Sequence, residues 1–117
     1  FIVDLSTKAV RAVQTPVDTG LGRVIEGKSG TVYVVERRAG DVLEIDLASA
    51  TITRTIPVCH APNGIVYDGI STVHVACRSG ALVSFDVASG AVTRRLALED
   101  DLRDVLVTAE ALLVHVR

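Results

Sequence analysis

An all-β fold is predicted, a β-propeller of four-stranded antiparallel blades, and two features of the chain carry that reading. The first is a repeat: an Asp closes an apolar run, small residues follow, and a new run begins, as DLSTKAV at Asp4, DLASATI at Asp46 and DVASGAV at Asp86. The spacing is 42 residues from Asp4 to Asp46 and 40 from Asp46 to Asp86. That is too long for a hairpin and matches one propeller blade of about 40 to 50 residues. The second is segment length. Stretches rich in Val, Ile and Thr run four to six residues between Gly, Ser, Asp and Asn, with no helical periodicity.

In chain order, Ile2–Asp4 and Ala9–Val13 read as the last two strands of a blade. An inner strand follows at Arg23–Glu26, then Val32–Val35, Val42–Ile45 and Ile52–Ile56. The next period repeats this as Gly64–Tyr67, Val73–Ala76, Leu82–Phe85 and Val92–Leu96, and Asp104–Val107 with Ala111–Val116 opens another. The middle strands are apolar on both sides, as strands packed between two sheets must be, whereas ITRTI and VTRRL alternate like outer strands half in water. Each repeated Asp accepts hydrogen bonds from amides two or three residues on and so closes its hairpin. Gly90 sits where a positive φ is expected; Lys8 and Ala50 occupy the same position with more strain. The expected division is a blade part over residues 1–20, blades over 21–58 and 59–98, and a blade part over 99–117. Twelve strands make three blade equivalents, short of the roughly four to eight of a closed ring. The exposed faces then need covering, by further blades of a longer parent or by copies of this chain, two of which would make six blades. In the homo-oligomer, Ala111–Val116 of one copy completes a blade with Ile2–Asp4 and Ala9–Val13 of the next.

Over VYVVERRAGDVLEIDLASATITRTIPV the chain resembles the YVTN type of β-propeller repeat, related in pattern to NHL repeats. The likeness rests on Val32–Val35, Val42, Ile45, Asp46, Ile52, Ile56 and Val58, and on Pro62 and Gly64 in APNGIVYD. It spans the chain, most weakly at the N-terminal block. The resemblance implies a propeller of the surface-layer or exported bacterial type, outside the cytoplasm, and implies no single activity. A chain opening with FIVDL and containing no Met reads as processed or cut from something longer, with any secretory signal upstream of Phe1.

A formal charge of −2 argues against nucleic acid and anionic membranes as partners, and no apolar run approaches the roughly 18 residues of a membrane span. Cys59 and Cys77 are a disulfide candidate, since both fall at one end of one blade; the alternative is two small buried thiols. A c-type haem is excluded because Ile56 stands where the second Cys is needed. Zinc on Cys59, His60, His74 and Cys77 lacks paired spacing. No cofactor, metal or catalytic residue is assigned. Candidate ligand-binding residues are Arg23, Arg38, Asn63, Arg78, Arg103 and Asp104, which the topology brings, with Arg37 and Arg117, to one channel mouth. Such a set suits a carboxylate, a phosphate or an acidic loop. The competing reading pairs each Arg with Glu36, Asp68, Asp101 or Asp104, and places Arg54, Arg94 and Arg95 on the solvated outside. The function expected is therefore a non-enzymatic, exported binding or scaffold module. Alternatives are a metal-dependent hydrolase of lactonase type using Asn63, Asp104 and Glu26, and a purely structural propeller fragment.

Overall fold

The computed structural model describes all 117 residues and contains twelve strands and no helix. They are β1 (Ile2–Val3), β2 (Val10–Arg11), β3 (Leu21–Glu26), β4 (Thr31–Glu36), β5 (Asp41–Asp46) and β6 (Thr51–Pro57). The second half carries β7 (Pro62–Tyr67), β8 (Thr72–Cys77), β9 (Ala81–Asp86), β10 (Val92–Ala97), β11 (Leu102–Val107) and β12 (Leu112–Val116). β3-β4-β5-β6 and β7-β8-β9-β10 are four-stranded antiparallel meanders, flanked by the hairpins β1-β2 and β11-β12. This is the architecture of a partial β-propeller.

The hairpins close as the repeat demands. Asp4 Oδ1 accepts from the amides of Ser6 and Thr7 at 2.9 and 3.1 Å, and Asp46 and Asp86 each accept from an amide three residues on, Ser49 and Ser89, at 2.9 Å. Hydrogen bonds to the Ser side chains and amides hold all three carboxylates below the usual carboxylate range. The shared left-handed position is Lys8, Ala50 or Gly90, with φ of 62°, 56° and 73°. Only Gly90 meets this without a steric cost.

Alternation along each strand distributes side chains to two faces, and the sheets stack through both. Between the two complete sheets lies the main core: Tyr33, Val35, Val42 and Ile56 from one side meet Ile65, Val73, Val75, Val83 and Phe85 from the other. Tyr33 and Phe85 pack edge to face with ring centroids 5.7 Å apart. On the opposite face of the first sheet, Val34, Leu43 and Ile45 are covered by Val13, which follows β2. On the opposite face of the second, Ala76 and Leu82 pack with Leu102 and Val105 of β11. The inner strands come so close that a Cβ on Gly64 would lie 2.5 Å from Asp104 Cα, which only glycine permits.

One outer-strand expectation is corrected. Arg54 and Arg95 are not simply solvated: Arg54 donates to the carbonyls of Val87 and Ala88 at 3.1 and 3.3 Å, and Arg95 donates to that of Val58. Each guanidinium reaches the backbone of a neighbouring segment.

Candidate functional site

Three repeats place arginines at one end of the stack by the same backbone device. The residue just before each inner strand is left-handed: Gly20, Ala61 and Asp101, with φ of 73°, 53° and 64°. Its carbonyl accepts from the amide that follows the second strand, Arg37 to Gly20 at 2.8 Å, Arg78 to Ala61 at 3.0 Å and Arg117 to Asp101 at 3.2 Å. Each arginine is thereby tied to the mouth of the inner-strand cluster, and Arg38 is tied next to Arg37 through the Thr19 carbonyl at 2.8 Å.

Two adjoining depressions result. One, of about 690 Å³, is lined by Arg23, Asn63, Arg103, Asp104, His115 and Arg117 and by no apolar residue. The other, of about 400 Å³, is lined by Arg37, Arg38, His60, Ala61, Asn63, Arg78 and Arg103. They share Asn63 and Arg103. All six candidates from the sequence thus line one continuous surface, where His115 joins them without having been singled out. His60, weighed only for zinc, and Asp101, named only as an acid for an arginine, lie at the same end beside Arg78, with Asp101 at the left-handed position that Gly20 and Ala61 hold in the earlier repeats.

Six guanidiniums meet two carboxylates here. Asp104 Oδ1 takes Arg23 at 2.6 Å, a bridge from β3 to β11 past β7. Asp101 takes Arg103 at 2.9 Å, Arg78 at 3.5 Å and Arg117 at 3.7 Å. Burial works against the charge of both acids, but the arginine hydrogen bonds and charges outweigh it, so both titrate below the ordinary value of 3.8. Arg37 and Arg38 are exposed and pair with no acid. The expectation of an acid for every arginine is therefore corrected at these two. Glu36 is buried at the end of β4 with Oε2 lacking a partner, and Asp68 instead caps the β7–β8 hairpin through the amides of Ile70, Ser71 and Thr72.

The donors weighed for a divalent ion do not fit one. Glu26 ends β3, about 10 Å along the strand from Arg23 at roughly 3.3 Å per residue, while Asn63 and Asp104 sit at the start of theirs. Asp104 is already held by Arg23, and no three His, Cys, Asp or Glu side chains converge anywhere. Cys59 and Cys77 are joined by a disulfide with Cα atoms 6.3 Å apart, tying the link before β7 to the end of β8 beside His60 and Arg78. His74 lies away from them, its Nδ1 2.7 Å from Ser84 Oγ, and burial pushes its imidazole below the usual range.

Among solved structures the chain is similar to hydrazine synthase of Kuenenia stuttgartiensis, with a TM-score of 0.72 and 13% identity over 87% of this chain and 30% of that one. It is likewise similar to AztD of Citrobacter koseri, with a TM-score of 0.65 and 18% identity over 85% of this chain and 29% of that one. The chain spans less than a third of either. At these identities the likeness bears on the fold alone, and it supports a β-propeller segment. No protein-family model matches the chain, and no curated protein does.

Proposed function

We propose that this propeller segment is a non-enzymatic binding module that takes an anionic group, a small polyanion or an acidic protein loop, on its arginine-bearing end face. The single observation that supports it most is the surplus of guanidinium. Arg37 and Arg38 pair with no acid and line a depression together with Asn63, Arg78 and Arg103. Guanidinium forks match carboxylate and phosphate oxygens two at a time, and the Asn side chain adds donor and acceptor capacity. Asp101 and Asp104 hold the other arginines in place and keep the site from being a diffuse positive patch.

The module is proposed to work outside the cytoplasm, as a YVTN-like or NHL-like repeat protein. Support comes from the cross-linked Cys59 and Cys77, since disulfides persist in oxidising compartments. No helix is long and apolar enough to cross a membrane. The test is calorimetric titration with citrate, inorganic phosphate and a poly-glutamate peptide. Arg38→Ala and Arg103→Ala are each expected to weaken the best of these by about tenfold, the loss of one charge-assisted pair. Equal affinity of wild type and both variants would place the site elsewhere.

A further inference from the structure

The depression that holds Arg37 and Arg38 on one side and His60 and Arg78 on the other takes a wall from each complete sheet, and the two walls are tied differently. On the first, the amides of Arg38 and Ala39 both donate to the Thr19 carbonyl, at 2.8 and 3.3 Å, besides the bond from Arg37 to Gly20. His60 stands where Thr19 stands, since Ala61 is the equivalent of Gly20, yet no backbone amide reaches the His60 carbonyl. The second turn is one residue shorter: Gly40 closes on Glu36 four residues back, Gly80 on Cys77 three residues back. Within its own repeat Arg78 keeps one backbone bond, from its amide to Ala61 at 3.0 Å. In place of the missing pair stands a covalent tie, for Cys77, which precedes Arg78, is joined to Cys59, which precedes His60. Cys59 reaches the first wall too. Its amide and that of Val58 donate to the Gly40 carbonyl at 3.2 and 3.0 Å, and a Cβ on Gly40 would lie 2.7 Å from the Cys59 carbonyl oxygen, so the two segments touch backbone to backbone.

We propose that the Cys59–Cys77 disulfide is a positioning element of the anion site, setting Arg78 and His60 at a fixed span from Arg37 and Arg38, a role that rests on the anion-binding function proposed above. A continuous path runs from the turn of Arg37 and Arg38 through Gly40, Cys59 and Cys77 to Arg78, and the disulfide is its one covalent crossing. The opposing pull is visible. The Arg78 carbonyl accepts the Asp101 amide at 2.8 Å and its Nε lies 3.5 Å from the Asp101 carboxylate, both on the third repeat. With the bond cut, Arg78 follows Asp101 and leaves the anion to Arg37 and Arg38. Guanidinium forks pair with an oxyanion in a narrow geometry, and holding two of them at the right span beforehand removes an ordering cost from binding. Cys77 is fully buried, so the tie is anchored in the core while its other end reaches the rim at His60.

A double-mutant cycle read by calorimetric titration with citrate tests this. The bond is removed by Cys59→Ala with Cys77→Val, valine being what the third repeat carries at that place as Val116, opposite Leu102 as Cys77 is opposite Pro62. With the bond present, Arg78→Ala and Arg38→Ala are each expected to weaken citrate by about tenfold. Removing the bond alone should cost about the same; Arg78→Ala then costs nothing further, while Arg38→Ala still costs its full tenfold. A general loosening of the fold would erode both arginines alike, and that outcome overturns the positioning role, as does unchanged affinity without the bond. Where the bond-free chain lacks strand circular dichroism, the cycle is run in sucrose, which favours the folded state through exclusion from its surface. A wild-type chain that binds no citrate refutes the anion site and the positioning role together; binding in which Arg78 counts equally with and without the bond refutes the positioning role alone.

Discussion

The interface between the two complete sheets and the outer face of the β11–β12 hairpin are built from equivalent strands, yet they differ in every respect that neighbours control. In the first, Tyr33 on β4 is 1% exposed because the second sheet covers it; in the second, Leu113, at the position equivalent to Tyr33, is 57% exposed. Leu106 beside it is also 57% exposed. The same strand type is core in one place and surface in the other. Burial in this fold is conferred by the adjacent blade and not by the blade itself, as nearest-neighbour stability in a repeat array requires.

Mutations can break that comparison. Phe85→Ala, at a site with no exposure, removes an aromatic ring from a filled interface and should cost about 3 to 5 kcal/mol in urea unfolding. Leu113→Ala in the isolated chain should cost under about 1 kcal/mol, since little of its surface leaves water on folding. Similar costs at the two sites would contradict the neighbour argument. Next in size is the Cys59–Cys77 disulfide. Closing a loop of 18 residues is worth about 3 kcal/mol, so Cys59→Ser with Cys77→Ser should lower the urea midpoint by that equivalent. Smaller again is the reach of Arg54 to the backbone of the β9–β10 turn. Arg54→Ala removes two backbone contacts and should cost about 1 to 2 kcal/mol in thermal unfolding, against almost nothing for Arg94→Ala, whose side chain is exposed.

The smallest effect concerns pH. Asp101 and Asp104 titrate lower in the folded chain than unfolded, so the stability they contribute is complete above the ordinary value of 3.8 and is lost as pH falls beneath it. Asp101→Asn should flatten the acid limb of a stability–pH curve, and an unchanged limb would show that the arginines do not hold it.

The architecture was legible because it is local. Asp turns, glycine breaks and runs of β-branched residues need only a few neighbours in sequence, and the strands fall where the repeat puts them. The arginine end face was legible for a similar reason: residues at one position of a repeat arrive at one end of a radial stack. What escaped were contacts made by reach across blades. Arg54 looks like any outer-strand arginine until the Val87 carbonyl, 33 residues on, is seen within its span. Which arginines keep free charge was equally hidden. Asp101 gathers Arg78, Arg103 and Arg117 from three separate strand ends, while Glu36, adjacent in sequence to Arg37, is buried in the sheet end and pairs with no arginine.

The central claim is that protection in this molecule follows the number of sheets covering a strand. Residue-resolved amide hydrogen exchange tests it most directly. Among amides bonded within the sheets, those of β4, β5, β8 and β9 should exchange slowest, those of β11 and β12 faster, and those of β1 and β2 fastest. Uniform protection across all twelve strands, or greatest protection in the terminal hairpins, would contradict it.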